Sequence, residues 1–353
     1  GMVRARDAGA TVLLGSATPA LESWRHAQEG RYALLRLPQR VGGRPLPSVQ
    51  VVDVRSGEER PGAQRHLGRT LILRIREALQ EGGQVILLQN RRGFATSVAC
   101  PRCGFVLDCL HCDVALTYHQ SYTVAMCHLC GHEQRPPSAC PDCGLPKLRL
   151  QGVGTQTVES ELAEAFPDLR VARMDSDTMA TREAYERVLG AFERHEIDVL
   201  VGTQMIAKGH DFPAVTVVGV LSADQSLGLP DFRAGERTFQ LLTQVAGRAG
   251  RGERPGKVVL QAFDPRHEVL KLAIAQDYSR FFEREIEYRR ALRYPPFTAV
   301  VNLIVHDADL GRCGEWADRV AAAVRERSRE RLIVTGPGPA PIERVRDRYR
   351  YQI

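Results

Sequence analysis

Eight of the nine cysteines fall within one stretch of the chain, and this stretch limits the possible fold more than any other feature. They form four Cys-x-x-Cys pairs: Cys100 and Cys103, Cys109 and Cys112, Cys127 and Cys130, Cys140 and Cys143. Two intervening residues let both thiolates of one tight turn bind the same ion, and four thiolates complete a closed tetrahedral zinc site. The pattern therefore predicts two structural zinc ions, with an iron–sulfur cluster as the main alternative.

The spacing does not decide which pairs share an ion, since four pairs combine in three ways. One of these is nested, with the two outer pairs on one ion and the two inner pairs on the other. Four nearby histidines are interpreted as surface residues because the thiolates already fill both sites: His111, His119, His128 and His132. The ninth cysteine, Cys313, lies on a predicted helix and is expected to be an inert core thiol.

Composition excludes several classes of protein. Of the 353 residues, 43% are hydrophobic and 25% charged, which is typical of an ordinary globular protein. No apolar run is long enough to span a membrane, and no secretion signal is visible, so a cytoplasmic location without a membrane partner is expected. The net charge of +6 favours a polyanionic partner such as nucleic acid, although an arginine-rich genome would also produce it.

Helical and apolar segments alternate on both sides of the cysteine block. Helices are predicted over 69–81, 157–167 and 181–196, and strands over 84–90, 169–177, 197–204, 214–224 and 256–263. Strands rich in valine and leucine that alternate with helices indicate a parallel sheet covered on both faces. The fold class predicted is α/β, with the cysteine block inserted into it.

The two ends of the sequence look different from this pattern. Residues 11–20 are predicted to be a buried strand that runs straight into a turn, and we expect the chain to begin and end inside folded regions. After 266 we expect a helix over 267–293, a strand over 298–306, a helix over 314–330 and a strand over 331–335. The predicted domains are 1–38 (a remnant of a first lobe), 39–98 with 145–265 (a second lobe), 99–144 (the zinc module) and 266–353 (a C-terminal α+β domain).

Two stretches after the cysteine block match motor proteins. Residues 240–252 contain Gln244, Gly247, Arg248, Gly250 and Arg251 in the Q-x-x-G-R-x-G-R spacing of superfamily 2 helicases. Arginine forks held on a rigid helix suit a phosphoryl group in transfer. Glycine beside each arginine destabilises a helix, so a close backbone approach is expected there.

The second stretch is 198–213, where a predicted strand leads to Thr203 and Gln204. Gly209 and Asp211 match a helicase loop that contacts nucleotide, and the preceding threonine matches a residue that contacts a DNA phosphate. Residues 15–19 (GSATP) resemble the motif that couples hydrolysis to movement. That match is short, but its place in the order of motifs supports it.

The order of these motifs resembles the PriA family of replication-restart helicases over essentially the whole chain. Further matching segments are 90–94 (NRRGF), 175–178 (DSDT), 208–213 (KGHDFP), 231–251, 294–297 (YPPF) and 336–352. The resemblance implies a RecA-like second lobe, the nested zinc pairing, and an ATP-driven 3′→5′ motor that recognises abandoned forks. It also implies forked and single-stranded DNA, primosome proteins and single-stranded-DNA-binding protein as partners.

The sequence departs from the family in one respect that matters for chemistry. It contains no Gly-x-x-x-x-Gly-Lys-Ser/Thr loop and no acidic pair before residue 15 to hold Mg²⁺. We therefore expect ATP and Mg²⁺ only in the intact protein, and no hydrolysis by this chain alone. Arg91 and Arg92 are candidate DNA contacts, although a surface-loop role explains them equally well.

Two other functions are compatible with parts of the sequence. One is a fork-binding scaffold that loads other proteins and never hydrolyses ATP. The other is a zinc-ribbon module of unrelated purpose, which does not explain the ordered helicase motifs on both sides of the zinc block.

Overall fold

The computed structural model describes residues 2–37, 46–59, 66–89, 97–119, 123–146, 148–151, 155–175, 178–179, 181–204, 206, 212–229, 231–250, 252, 254–328 and 332–353. The helices in these ranges are α1 (Met2–Asp7), α2 (Leu21–Gln28), α3 (Arg69–Gln80), α4 (Thr155–Ala165), α5 (Arg182–Glu193), α6 (Ala234–Ala246), α7 (Glu268–Ile274), α8 (Tyr278–Ala291) and α9 (Leu310–Ser328). The strands are β1 (Ser48–Asp53), β2 (Gln84–Gln89), β3 (Ser97–Ala99), β4 (Thr117–His119), β5 (Val124–Met126), β6 (Glu133–Gln134), β7 (Arg149–Gln151), β8 (Val171–Met174), β9 (Val199–Gly202), β10 (Val215–Leu221), β11 (Lys257–Ala262), β12 (Ile304–Asp307), β13 (Gly338–Val345) and β14 (Arg348–Gln352). None of these helices combines the length and apolar character needed to cross a membrane.

The chain divides into two compact units. Unit 1 comprises Gly1–Asn90 and Glu161–Ala299, and unit 2 comprises Arg91–Ser160 and Val300–Ile353. The sequence-based boundary at 266 does not coincide with a boundary between units, because α7 and α8 group with unit 1. Phe281 of α8 stacks on Phe239 of α6 with ring centroids 4.3 Å apart, and both side chains are buried.

Unit 1 is built on a six-stranded sheet in the order β1-β11-β10-β2-β9-β8. Every pair of neighbouring strands is parallel. All residues of β2, β9 and β10 are buried, as expected for strands covered by helices on both faces. The predicted α/β class with an inserted cysteine module is confirmed, and the predicted strand centres agree with the observed ones.

The strand predicted at 11–20 is wrong. The segment belongs to no strand among the described residues, and Leu13 and Leu14 are 85% and 60% exposed. The side chain of Thr18 is buried, and helix α2 begins three residues later at Leu21. The apolar residues that favoured a strand have no sheet partner in the described part of the chain.

Three predictions for the C-terminal third also need correction. The helix predicted over 267–293 is two helices, because the chain turns at Gln276 (φ 51°) and Asp277 then caps α8 by accepting the Arg280 N–H. Of the strand predicted at 298–306, only the end is regular, where β12 begins at Ile304. The strand predicted over 331–335 is absent from the described residues 332–335.

Unit 2 contains two antiparallel sheets. The first runs β6-β5-β4-β3-β7 through the cysteine module, and the second runs β12-β14-β13 beside α9. The strand that enters the module pairs with the strand that leaves it, with Ser97 opposite Gln151 and Ala99 opposite Arg149. The module core consists of apolar residues and thiols, with Val98, Leu107 and Leu116 buried among the cysteines.

Candidate metal centres and motor motifs

The eight paired cysteines converge into two clusters of four. In the outer cluster the members come from the first and last pairs: Cys100, Cys103, Cys140 and Cys143. In the inner cluster they come from the second and third pairs: Cys109, Cys112, Cys127 and Cys130. The four sulfurs of each cluster lie within 4.8 Å of one another, which is the nested grouping implied by the family resemblance.

The sulfur spacings fit zinc. A Zn–S bond of about 2.3 Å in a regular tetrahedron places the sulfurs about 3.8 Å apart. The Sγ–Sγ distances are 3.6 Å for Cys100–Cys143 and 3.5 Å for Cys103–Cys140 in the outer cluster, and 3.6 Å for Cys109–Cys130 in the inner cluster. The two clusters therefore fit two Zn²⁺ ions, and four thiolates leave no position open for substrate.

Local backbone geometry brings each pair of thiols together. Gly104, Gly131 and Gly144 have φ values of 80°, 82° and 70°, a conformation that glycine adopts at little cost. The N–H of Gly104 donates to the carbonyl of Cys100 at 3.0 Å, which closes the turn. The second pair is followed by Asp113 instead of glycine, and Asp113 donates its N–H to the carbonyl of Arg344.

One thiol in each cluster is prepared for ionisation. Burial raises the pKa of Cys100, but the backbone N–H groups of Cys103 and Arg102 outweigh this effect and lower the pKa to about 6. Burial likewise opposes ionisation of Cys127, whose pKa is lowered to about 7 chiefly by the N–H groups of Cys130 and Leu129. Burial raises the pKa of Cys109 to about 12, and the pKa of Cys103 is also raised to about 12 although the backbone N–H of Phe105 lowers it. Without metal, each cluster therefore ionises first at one cysteine, and the thiolate is the form that binds metal.

Residues near the clusters have other partners. His111 faces Asp347, with Nδ1 2.6 Å from a carboxylate oxygen, and its ring packs edge-on against His132. Neither histidine belongs to a four-sulfur cluster. Cys313, predicted to be a core thiol, is buried and donates toward the carbonyls of Tyr349 at 3.3 Å and Val305 at 3.5 Å.

The Q-x-x-G-R motif spans the end of a helix. Helix α6 stops at Ala246 with Gly247 as its C-cap, so Arg248 lies in the turn that follows and not on the helix as predicted. Its N–H donates to the carbonyl of Val245 at 2.9 Å, and its side chain is half-buried. Gln244, one turn earlier, is exposed.

The close backbone approach expected of the glycines is present at Gly250. This residue has φ 70°, and a Cβ there would lie 2.4 Å from the backbone nitrogen of Gly256. Its N–H donates to the carbonyl of Val215 at 3.1 Å, which ties the turn to the start of β10. At Gly247 the nearest atoms to a Cβ would be backbone carbonyls at 3.4 Å, so no comparable approach occurs there.

Two of the predicted DNA-contacting residues lie at the edge of the sheet where β8 and β9 end. Thr203 and Gln204 directly follow β9 and are half-buried, and Thr203 donates its N–H to the carbonyl of Met174 at 3.2 Å. At Gly202 a Cβ would lie 2.4 Å from that same carbonyl, so only glycine lets β8 and β9 end this close together. Five other predicted site residues lie outside the described residues: Arg91, Arg92, Gly209, Asp211 and Arg251.

The turn after α6 and the residues Thr203 and Gln204 lie at opposite edges of the parallel sheet. Val215 begins β10 and Lys257 begins β11, so the turn after α6 lies at the amino-terminal edge. Thr203 and Gln204 lie at the carboxyl-terminal edge, where ligands commonly bind in α/β sheets. The length of the strands separates the two groups, and a seven-residue strand such as β10 spans roughly 20 Å.

The sequence did not predict how residues 18–21 dock on α6. Gln240 donates to the carbonyl of Thr18 at 3.2 Å, and Glu236 accepts the N–H of Leu21 at 2.9 Å. Glu236 also pairs with Arg289 of α8 at 2.8 Å, and both side chains are buried. Glu236 occupies a position on the apolar face of α6, which is the one signal in the sequence that could have revealed this network.

Arg289 is surrounded by carboxylates from three helices. Besides Glu236, it contacts Glu285 at 3.1 Å and Glu22 of α2 at 3.7 Å. Burial raises the pKa of Glu285 even though the neighbouring Arg289 opposes this effect. The network therefore fixes α2 against α6 and α8, and through α6 it connects the residues after GSATP to the turn that contains Arg248.

Comparison with known families agrees with this architecture. The helicase conserved C-terminal domain matches residues 153–253, which carry both motor motifs. The PriA DNA helicase Cys-rich region domain matches residues 109–135, and the primosomal protein N C-terminal domain matches residues 290–353. The fold and motifs thus define a helicase second lobe with an inserted zinc module.

Individual relatives identify the family. The replication restart protein PriA of Bacillus subtilis is 44% identical over 99% of this chain and 43% of its own length. The replication restart protein PriA of Synechocystis is 41% identical over 97% of this chain and 42% of its own length. The chain belongs to the PriA family and spans less than half the length of these two relatives.

A solved structure of RecG bound to a three-way DNA junction also resembles the chain. The identity is 16%, the TM-score is 0.45, and the match covers 79% of this chain and 27% of RecG.

Proposed function

We propose that this chain forms the second motor lobe, zinc module and C-terminal domain of an ATP-dependent 3′→5′ DNA helicase. The intact protein would recognise stalled or abandoned replication forks in the cytoplasm and initiate primosome assembly. The observation that carries this proposal is the similarity to replication restart proteins named PriA, which extends over nearly the whole chain. Of its motor motifs, the described residues Thr203 and Arg248 also lie at the two edges of one parallel sheet.

The amino-terminal edge of the sheet would serve the nucleotide. Arg248 and Arg251 would stabilise charge on the γ-phosphate, with Gln244 and Gly247 at the end of α6 beside them. Gly209 and Asp211 would lie near the nucleotide. One observation supports this grouping: a Cβ at Gly252 would lie 2.3 Å from the carbonyl of Pro213, so the segment two residues after Asp211 packs against the segment that follows Arg248.

The carboxyl-terminal edge would serve the DNA strand along which the motor moves. Thr203 and Gln204 would contact phosphates there. Arg91 and Arg92 follow β2, whose last residues pair with the end of β9 through Leu88 and Gly202. A cation after β2 is therefore well placed in the sequence to add a phosphate contact, the kind of contact that positions a protein on DNA without reading bases.

The zinc module would act through structure and not through chemistry, since both clusters are closed. We infer that it holds surfaces which bind forked and single-stranded DNA, other primosome proteins and single-stranded-DNA-binding protein. The positive net charge of +6 is consistent with a DNA-binding surface. ATP and Mg²⁺ would bind only in the intact protein, and the chain alone would not hydrolyse ATP.

The first test uses the intact protein with Arg251 replaced by alanine. DNA-dependent ATP turnover should fall by at least about 10³-fold, the scale of losing an arginine finger, while two zinc ions per chain are retained. Arg187→Ala, which changes an exposed arginine on α5, is the matched control and should leave turnover unchanged. Full turnover in the Arg251→Ala protein would remove Arg251 from the mechanism.

A second measurement separates the motor from a non-hydrolysing scaffold. The intact wild-type protein is assayed for ATP-dependent unwinding of a fork and for fork binding across a salt series. Unwinding supports the helicase, whereas fork binding without any ATP turnover would establish the scaffold instead. For the chain alone, equal and steeply salt-dependent binding to fork, duplex and single strand would indicate phosphate attraction only.

A further inference from the structure

The hairpin of the C-terminal domain has an unusual turn. Strands β13 and β14 are joined by two residues, Arg346 and Asp347, with Val345 paired to Arg348. Both turn residues are left-handed, with φ values of 53° and 59°. Two-residue turns of this kind strongly favour Asn-Gly, because other side chains are strained in this conformation. Some other interaction must therefore favour Arg-Asp at this place.

The backbone of the turn reaches the inner metal cluster. The N–H of Arg346 donates to Sγ of Cys112 at 3.2 Å, across 234 residues of sequence. The N–H of Asp347 donates to the carbonyl of His111 at 2.8 Å, within the same cysteine turn. An N–H group aimed at a ligand sulfur stabilises the thiolate, as partners outside the ligand shell generally do in metal sites.

The side chains of the turn extend these contacts to both halves of the cluster. Nε of Arg346 donates to the carbonyl of Leu129, between Cys127 and Cys130, at 2.9 Å. The carboxylate of Asp347 lies 2.6 Å from Nδ1 of His111. The hairpin turn thus contacts the two cysteine turns that together hold one ion.

The outer cluster differs in this respect. Within the described ranges, the hairpin turn donates no hydrogen bond to an outer-cluster sulfur. Cys103 of the outer cluster is exposed, whereas three of the four inner cysteines are buried. Both clusters have four thiolate ligands, so any difference in metal release between them must come from their surroundings.

We propose that the turn formed by Arg346 and Asp347 is a clamp that slows zinc release from the inner cluster. Both are positioning residues, since they touch ligand sulfur or the cysteine turns and not the ion. The C-terminal domain would thereby determine how long one of the two ions remains bound. This inference concerns metal exchange and holds or fails independently of whether the protein unwinds DNA.

The test measures release at each cluster separately. The full chain, loaded with zinc, is exposed to a chelator and pulsed with an alkylating reagent, and mass spectrometry reports which cysteines have been modified. In the wild-type protein the outer cysteines should react well before the inner ones. Replacing Arg346 with Asn and Asp347 with Gly suits the left-handed turn but removes its side-chain contacts, so the hairpin should still fold.

In this double variant the inner cysteines should react about tenfold faster, the lower end of the effect of losing an outer-shell partner, and the outer cysteines at the wild-type rate. Asp347→Ala should give a smaller acceleration. Asparagine at position 347 keeps an oxygen for His111 and tolerates the left-handed turn, so in Asp347→Asn the inner cysteines should react at the slow wild-type rate. Arg350→Ala, which removes a bond to the carbonyl of Ile342 elsewhere in the hairpin, should change neither rate.

Two results would overturn the clamp. One is an unchanged inner rate in both the double variant and Asp347→Ala. The other is an equal acceleration of both clusters, which would show that the substitutions destabilise unit 2 as a whole.

Discussion

The two units of this protein are stabilised by different means. Unit 1 buries long apolar strands under helices, and its largest buried side chains include Phe192, Phe239 and Phe281. The cysteine module of unit 2 has strands of only two or three residues and a small core in which metal-binding thiols are packed among a few apolar side chains. Strands this short do not form a stable sheet alone, whereas a bound zinc ion contributes folding free energy directly. Stability of unit 1 should therefore respond to packing, and that of the module to metal.

Zinc removal should have the largest effect and should act on one unit only. Stripping both ions with a chelator under reducing conditions should unfold residues 97–151, since structural zinc contributes on the order of 10 kcal/mol to such modules. Hydrogen exchange should then show lost protection in β3 to β7 and retained protection in β2, β9 and β10. Equal loss of protection in both units would contradict the comparison.

Replacing Arg289 with alanine should have the next largest effect, in the opposite unit. It leaves the buried Glu236 and the half-buried Glu285 without their cation, which should lower the unfolding free energy of unit 1 by about 3–5 kcal/mol. Urea denaturation followed by tryptophan fluorescence reports this change through Trp24, which packs on Tyr278. Arg290→Ala, at the exposed neighbouring position, is the control and should cost less than about 1 kcal/mol. Zinc content should remain at two ions in both proteins.

A smaller change should follow from Gly250→Ala. The new Cβ would meet the backbone of Gly256 in a left-handed conformation, so we expect a loss of about 2 kcal/mol from unit 1. Gly228→Ala introduces a Cβ with no atom within 4 Å and should be nearly neutral in the same urea titration. Identical midpoints for the two variants would show that the turn after α6 adjusts easily.

The smallest change in the stability of unit 1 is expected from acid, through the ion pair of Arg170 and Asp198. Hydrogen bonds from Arg170 lower the pKa of Asp198 below its ordinary value of 3.8. The pair therefore stabilises unit 1 fully above the unfolded pKa, and this contribution is lost as the pH falls through the folded pKa. The pair is partly exposed, so it should contribute less than about 1 kcal/mol.

The measurement is the unfolding free energy of wild type and Asp198→Asn at neutral and acidic pH. The difference should be present at neutral pH and shrink in acid; a difference independent of pH would mean that charge is not responsible. Zinc should leave unit 2 at higher pH than this, because protons compete for the thiolates.

Local patterns predicted the repeating elements of the fold but not its long-range contacts. Apolar periodicity located the strands, and Cys-x-x-Cys spacing indicated two ions, since both signals lie within a few residues of sequence. The strand predicted at 11–20 failed because an apolar run does not reveal whether a neighbouring strand is available. The hydrogen bond from Arg346 to Cys112 and the ion pair of Arg289 with Glu236 join distant segments, and a charged residue in sequence ordinarily predicts a solvent-exposed face.

The pairing of β3 with β7 places the two ends of the inserted module side by side. Facing residues of antiparallel strands such as Ser97 and Gln151 have Cα atoms only about 5 Å apart. A short linker could therefore replace everything between them without stretching the chain on either side. Because its two ends are adjacent, the module can be removed or exchanged as one unit, by evolution or by protein engineering. The hairpin turn at Arg346 would then need a new surface to contact.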